Sequence, residues 1–446
     1  MLWLLLVVLA QTAPSDTNWP SFRGARAAGV AEGYDPPVAW DVESGKNVLW
    51  RVDMPGLAHS SPVVWGERVF VTTAVKKAGE AELSSLFGSP GYGAGQSVEA
   101  EGEHSFELHC LDKHTGKLLW SRVAYAGVPE VKRHPKSTHA NSTPACDATR
   151  VLAFFGSEGL YCYDHEGKLL WSKDFGVLDS GAPDVDDTAA FQWGFASSPV
   201  IHGQAVIVQC DVQKDSFVAA LSLADGKELW RTPRDERPTW GTPTVADLEK
   251  GAAVVLNGYH HAAAYDVATG AELWSLHGGG DVPVPTPVVG HGNVYLTSAH
   301  GSGRPIRAIR LTARGDLGTA SEGEHVAWNL PGAGVYMQTP LVYGEELYAC
   351  SDAGILACYD AHTGSTNYRE RLGDGSTGFS GSPIAAEGKL YLSGENGQVF
   401  VVAAGPSFEV LGVNELGENH LATPALSAGV LFFHTHHHVL AVGEKK

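Results

Sequence analysis

The stretch Ala264–Trp274, AYDVATGAELW, decides the architecture of this chain. Small and aromatic residues run into an Asp, three turn-forming residues lead to a Gly, and a short polar-apolar run ends on Trp. Asp suits a tight turn because its side chain bonds nearby backbone N–H groups, and Gly because it accepts a positive φ. The stretch therefore reads as two antiparallel strands joined by a short turn. The same order stands at Cys110–Trp120 (CLDKHTGKLLW), Cys162–Trp171 (CYDHEGKLLW) and Ala220–Trp230 (ALSLADGKELW). Each terminal Trp offers a large flat surface on which the next copy of the unit can dock.

A second marker sets the period. Ser or Thr precedes Pro62, Pro144, Pro199, Pro243, Pro287, Pro340, Pro383 and Pro424, at intervals of 82, 55, 44, 44, 53, 43 and 41 residues. A unit of about 43 residues carrying three insertions explains every interval, and a period of that length belongs to a solenoid or a propeller. Each unit holds an apolar strand after the proline, a turn often containing Gly, a β-rich strand, a second turn and further strands. Four short strands make a propeller blade. The eighth unit runs out at Gly443 after three strands, and KNVLWRV (46–52) supplies the missing outer one, with Trp50 at the docking position. The sequence thus predicts an all-β, eight-bladed propeller of four-stranded antiparallel blades over 47–443, its ring closed by an N-terminal strand near residues 47–52. A seven-bladed ring with one stray repeat is the alternative.

The Trp-terminated turns and the Ser/Thr-Pro starts, over Asn47 to Gly443, resemble the PQQ-like (quinoprotein alcohol dehydrogenase-like) β-propeller family. NWPSFRGARAAGVAEG (18–33) and HSSPVVWGERVFVTT (59–73) look most like its exported BamB-like members of unassigned function. The family's dehydrogenases hold PQQ beneath a vicinal disulfide, with a carboxylate and amide set on Ca2+ and an Asp base. Here the six cysteines include no adjacent pair and no CxxC, and no Asp matches that base by motif. PQQ with Ca2+ is therefore not supported by matched residues. Most of the cysteines lie inside apolar runs and read as small core residues.

Composition narrows the partners. With 31 Lys and Arg against 50 Asp and Glu the formal charge is -19, so nucleic acid is a poor partner for the surface as a whole. An apolar run from Leu2 to Ala10, followed by small and polar residues, reads as a secretory signal over 1–13. It is too short to span a membrane, and no Cys near the cleavage region permits a lipid anchor. Residues 14–46 read as an extension packed along the ring. The expectation is a soluble, monomeric, periplasmic or extracellular protein that is not a lipoprotein.

Function is expected on one face. The loops before each Ser/Thr-Pro and the turns between second and third strands open on the same side of a ring, and the long segments 73–106, 121–143 and 172–198 all fall there. Long loops on a rigid scaffold are where binding surfaces are built. Around the channel mouth stand His59, His139, Asn141, Gln192, Trp193, Trp240, Tyr336, Gln338 and His420, polar and aromatic groups suited to a planar polar ligand or to lining a water-filled channel. Lys132, Arg133 and Lys136 form a basic run that can hold a carboxylate or phosphate. Asp184, Asp186 and Asp187 offer oxygen ligands for a metal such as Ca2+, without EF-hand spacing. The run LFFHTHHHVLAVG (431–443) reads as the second turn of the closing blade, where alternation lets at most two of its four histidines share a metal. The leading expectation is a non-catalytic propeller binding an envelope protein, a peptide or a small polar ligand. A PQQ-dependent alcohol or sugar dehydrogenase, and a ligand or metal sensor built on the basic loop and mouth histidines, are the alternatives.

Overall fold

The computed structural model describes residues 17–89, 95–182, 190–280, 282–301, 303–319 and 321–445. The expected signal segment 1–13 lies outside them. Eight sheets surround a central axis, each opening on the strand that follows a Ser/Thr-Pro. Blade 1 comprises Val63–Trp65, Arg68–Lys76, His104–Asp112 and Leu118–Gly127. Blade 8 comprises Ala425–Ser427, Val430–His434 and His438–Val442, completed by the N-terminal strand Val48–Asp53. Trp50 pairs with Ala441 and Val52 with Val439, so the first strand of the ring closes its last sheet and the seven-bladed alternative falls away. Val, Ile and aromatic residues fill the second and third strands, which are buried on both faces between neighbouring blades.

The Ser/Thr-Pro marker has a physical reason that the sequence did not disclose. The backbone N–H of Ser61 donates to Thr143 Oγ1, Thr143 to Ser198 Oγ, Ser198 to Thr242 Oγ1, and Thr242 to Thr286 Oγ1, at 2.9–3.2 Å. The chain of bonds continues through Thr339, Ser382 and Thr423 at 2.9–3.0 Å. Each hydroxyl accepts from the blade before it, so a buried girdle of hydrogen bonds runs around the channel. Thr286→Val removes one acceptor and leaves the N–H of Thr242 buried and unmet, and a loss of about 2 kcal/mol in urea unfolding is expected. No measurable loss would mean that the girdle is incidental to stability.

Trp docking supplies the second inter-blade contact. The indole N–H of Trp50 donates to Lys113 O, that of Trp120 to His165 O, Trp171 to Leu223 O, Trp230 to Val267 O and Trp328 to Ala361 O, at 2.9–3.0 Å. Beneath each ring lies the Gly of the next blade's last turn. Gly270 has φ +72°, and a Cβ there would sit 2.5 Å from the Trp230 ring, so only Gly fits. Trp274 is the exception. The longer blade 5 turn brings Gly315–Asp316 alongside its strand in parallel, and Leu311, Ala313 and Leu317 join the core cluster that contains Trp274.

The extension before the ring does more than lie along the surface. It crosses the end of the channel opposite the long loops, with Trp19 bridging Val64 of blade 1 and Val30 bridging Ala385 of blade 7. Between them Arg23 is fully buried and donates to the carbonyls of Thr339 and Pro340 in blade 6, at 2.7 and 2.8 Å. No carboxylate stands against it among its described bonds, and burial lowers its pKa to about 9.

Candidate functional site on the long-loop face

The insertion of blade 1 does not fan outward; it crosses the channel mouth. At one end Phe87 N donates to Glu395 Oε2 of blade 7 at 3.1 Å. Beside it Lys136 Nζ lies 2.5 Å from Glu395 Oε1, which also accepts from Ser380 Oγ at 2.7 Å. At the other end Trp193 Nε1 donates to Gly95 O, Ser97 N to Ala190 O, and Gln192 N to Ser97 Oγ, at 2.7–2.8 Å. The insertion therefore ties blade 7 to the loop entering blade 3.

Under it lies a buried ion pair. Arg133 makes two 2.7 Å bonds to the Glu101 carboxylate and donates to Ser137 O and Glu82 O at 2.7 and 3.0 Å. Burial acts to raise the Glu101 carboxyl, but His139 and Arg133 hold it well below its ordinary value. Arg133 and Lys136 thus have their charges met from inside the protein, while Lys132 sits half-buried with its backbone N–H on Gln192 Oε1.

The other expected residues divide into two groups. Asn141 accepts from Thr138 and donates to Ser137 Oγ and Phe195 O, and Gln192 donates to Asp179, so both brace loops. Trp193 and Trp240 stand together with ring centroids 5.9 Å apart, and Tyr336 pairs with His300 at 5.2 Å. Gln338 is fully buried in the channel wall and donates to Gly381 O. His59 and His420 gather instead where blades 8 and 1 meet, with His434 and His109. His59 Nε2 faces Lys136 O at 2.9 Å, His434 Nδ1 faces Ser60 O at 3.0 Å, and His420 Nδ1 faces His434 O at 3.1 Å. Burial lowers the pKa of His59, His109 and His434 to about 4, and of His420 to about 3, so all four are neutral near pH 7.

The C-terminal histidines occupy the second turn of the closing blade and diverge. His434 turns inward, His436 and His437 stack on each other with centroids 4.1 Å apart, and His438 lies between Glu418 and Asp53 at 2.6 and 3.0 Å. Asp184, Asp186 and Asp187 lie outside the described residues.

Sequence reasoning missed Glu101, His104 and Glu395, because each acquires its role from a partner distant in the chain. It also missed a buried cluster under blades 3 and 4. There Arg234 donates to Asp211 at 2.8 Å and to the Tyr265 hydroxyl at 2.8 Å, while Glu236 takes the N–H groups of Tyr259, His260 and His261 at 2.7–3.0 Å. The spread-out Asp, Arg and Glu match no motif, and their burial was the missing signal.

The family model described as outer membrane protein assembly factor BamB matches residues 104–370 and 214–445. The chain belongs to the BamB family. BamB from Moraxella catarrhalis superposes on 89% of the chain and 99% of its own length, with a TM-score of 0.59 at 11% identity. The quinohemoprotein alcohol dehydrogenase of Comamonas testosteroni covers 96% of this chain and 81% of its own, with a TM-score of 0.50 at 13% identity. At such identities the likeness is one of fold. Tetrathionate hydrolase of Acidithiobacillus ferrooxidans is 28% identical over 211 residues, 43% of this chain and 37% of the hydrolase. The match thus spans little more than a third of that relative.

This BamB-family chain does not fit a PQQ cofactor at the mouth. All six cysteines are single and buried, so a disulfide lid has no counterpart. The Glu395 carboxylate, which could otherwise serve such a group, is already bonded to three donors, Phe87 N, Lys136 Nζ and Ser380 Oγ. The Trp193 and Trp240 rings are tilted by 42°, not stacked as parallel walls of a slot.

Proposed function

We propose that this protein is an exported, non-catalytic propeller that binds a protein or peptide partner of the envelope through its long-loop face. The observation that carries the reading is a set of half-buried aromatic residues in the loops of that face: Phe191, Trp193, Trp240, Tyr259 and Tyr336. They come from the loops entering blades 3, 4 and 6 and from the second turn of blade 4. The polar ends of the two indoles are already bonded, Trp193 to Gly95 O and Trp240 to Gly194 O at 2.7 and 2.9 Å, which leaves apolar ring faces for a partner. The Arg237 guanidinium lies 4.7 Å over the Tyr259 ring. Trp, Tyr and Arg are the residue types that dominate binding energy at interfaces, and a face already fixed by buried ion pairs loses little entropy on docking. The expected signal segment and the family described as an outer membrane assembly factor support an envelope location.

A photo-crosslinker placed at Tyr259 in the native envelope tests this reading. A discrete adduct is expected that weakens at least tenfold in a Trp193→Ala, Trp240→Ala background of unchanged circular dichroism. An adduct indifferent to both substitutions, or dye-linked alcohol oxidation on adding PQQ and Ca2+, would refute it.

A further inference from the structure

Three side chains far apart in any motif sense meet beneath the blade 1 insertion. Glu101 ends the insertion, His104 opens the third strand of blade 1, and His139 comes from the loop leading into blade 2. One ligand atom from each lies within 4.8 Å of the other two. His104 is fully buried. Its Nδ1 faces the Gly102 carbonyl at 3.0 Å, which assigns the proton to Nδ1 and leaves a lone pair on Nε2. That Nε2 is buried and has no hydrogen-bond partner among the described residues. A buried acceptor without a partner is costly, and an imidazole anchored to a backbone carbonyl through its other nitrogen is how metal-ligating histidines are oriented.

We propose that Glu101, His104 and His139 form a Zn2+ site that fastens the blade 1 insertion to the loop entering blade 2. Two imidazoles with one carboxylate select Zn2+ over the hard cations Ca2+ and Mg2+, which prefer all-oxygen shells. Arg133 bonds both oxygens of Glu101 and fixes the carboxylate with Oε2 3.5 Å from His139 Nε2. It acts as the outer hydrogen-bond support of a ligand, and its positive charge lowers the affinity of the site for a cation. A second grouping, His291, Glu345 and His362, is exposed on the opposite face. Its imidazoles already face Gly344 O and Glu345 Oε2 at 2.9 Å each, so it lacks the unpartnered buried nitrogen and provides a control.

The test uses the full chain, stripped with a chelator and titrated with Co2+ and then Zn2+. One equivalent of Co2+ is expected to give the visible absorption of a low-coordinate site, bleached by one equivalent of Zn2+. His104→Phe, which keeps the buried ring volume, and His139→Gln should each reduce the band at least tenfold, while His362→Ala leaves it intact. Circular dichroism identifies which of the two variants is folded, and either suffices. Absence of the band in the native chain, its persistence in a folded variant at His104 or His139, or its loss in His362→Ala overturns the assignment.

Discussion

Replacing Trp50 by alanine is expected to lower the unfolding free energy by about 4 kcal/mol, the cost of emptying a buried Trp site. Trp50 is 8% exposed, packs against the blade 8 core and touches Gly116 of blade 1 through its ring face. Its strand also completes the last sheet, so weakening it frees the outer edge of blade 8 and loosens the ring where the chain's two ends meet. Urea unfolding followed by Trp fluorescence and by circular dichroism measures the loss. Leu229→Ala provides the contrast: Leu229 is 58% exposed on the outer strand of blade 3, and its removal should change stability by less than about 0.5 kcal/mol. A loss below about 1 kcal/mol for Trp50→Ala would show that the ring holds without that closure.

Acidification is the second large effect. His59, His109, His420 and His434 have folded pKa values depressed to about 3–4 by burial, whereas the unfolded chain protonates them near pH 6.5. Their contribution to stability is complete above pH 6.5 and is lost as pH falls from there towards 4. Glu158 works against them. Burial raises its carboxyl to about 7, so the fold favours its protonated form and gains stability as pH falls from 7 towards 4.5. Four histidines against one glutamate leave a net loss on the order of 5 kcal/mol between pH 7.5 and pH 5. The urea midpoint should therefore fall steeply over that range. An unchanged or higher midpoint at pH 5 would show that these imidazoles are not held neutral.

The Thr242–Thr286 bond and the Trp50 dock show how repeats convert local chemistry into a closed ring. Each girdle hydroxyl and each docked indole acts between one blade and the next, so the period in the sequence is the period of the contacts. That is why the blades were legible. The long loops 73–106, 121–143 and 172–198 are legible as lengths and as belonging to one face, since a loop before Ser/Thr-Pro or after a second strand has no other side to emerge on.

The repeated turns, the Ser/Thr-Pro starts and Trp50 determined by themselves the all-β class, the eight blades and the strand that closes them, because those features arise from neighbours about 43 residues apart, repeated eight times. The tertiary structure alone decided what the long loops do. Arg133 reads in the sequence as a free cation of a basic run, and in the fold it is spent on Glu101, 32 residues earlier. Lys136 meets Glu395, 259 residues later, across the channel mouth. His104, featureless in the sequence, holds the unpartnered nitrogen. Charge pairing and burial depend on which loops share space, and non-periodic insertions carry no pattern that states it.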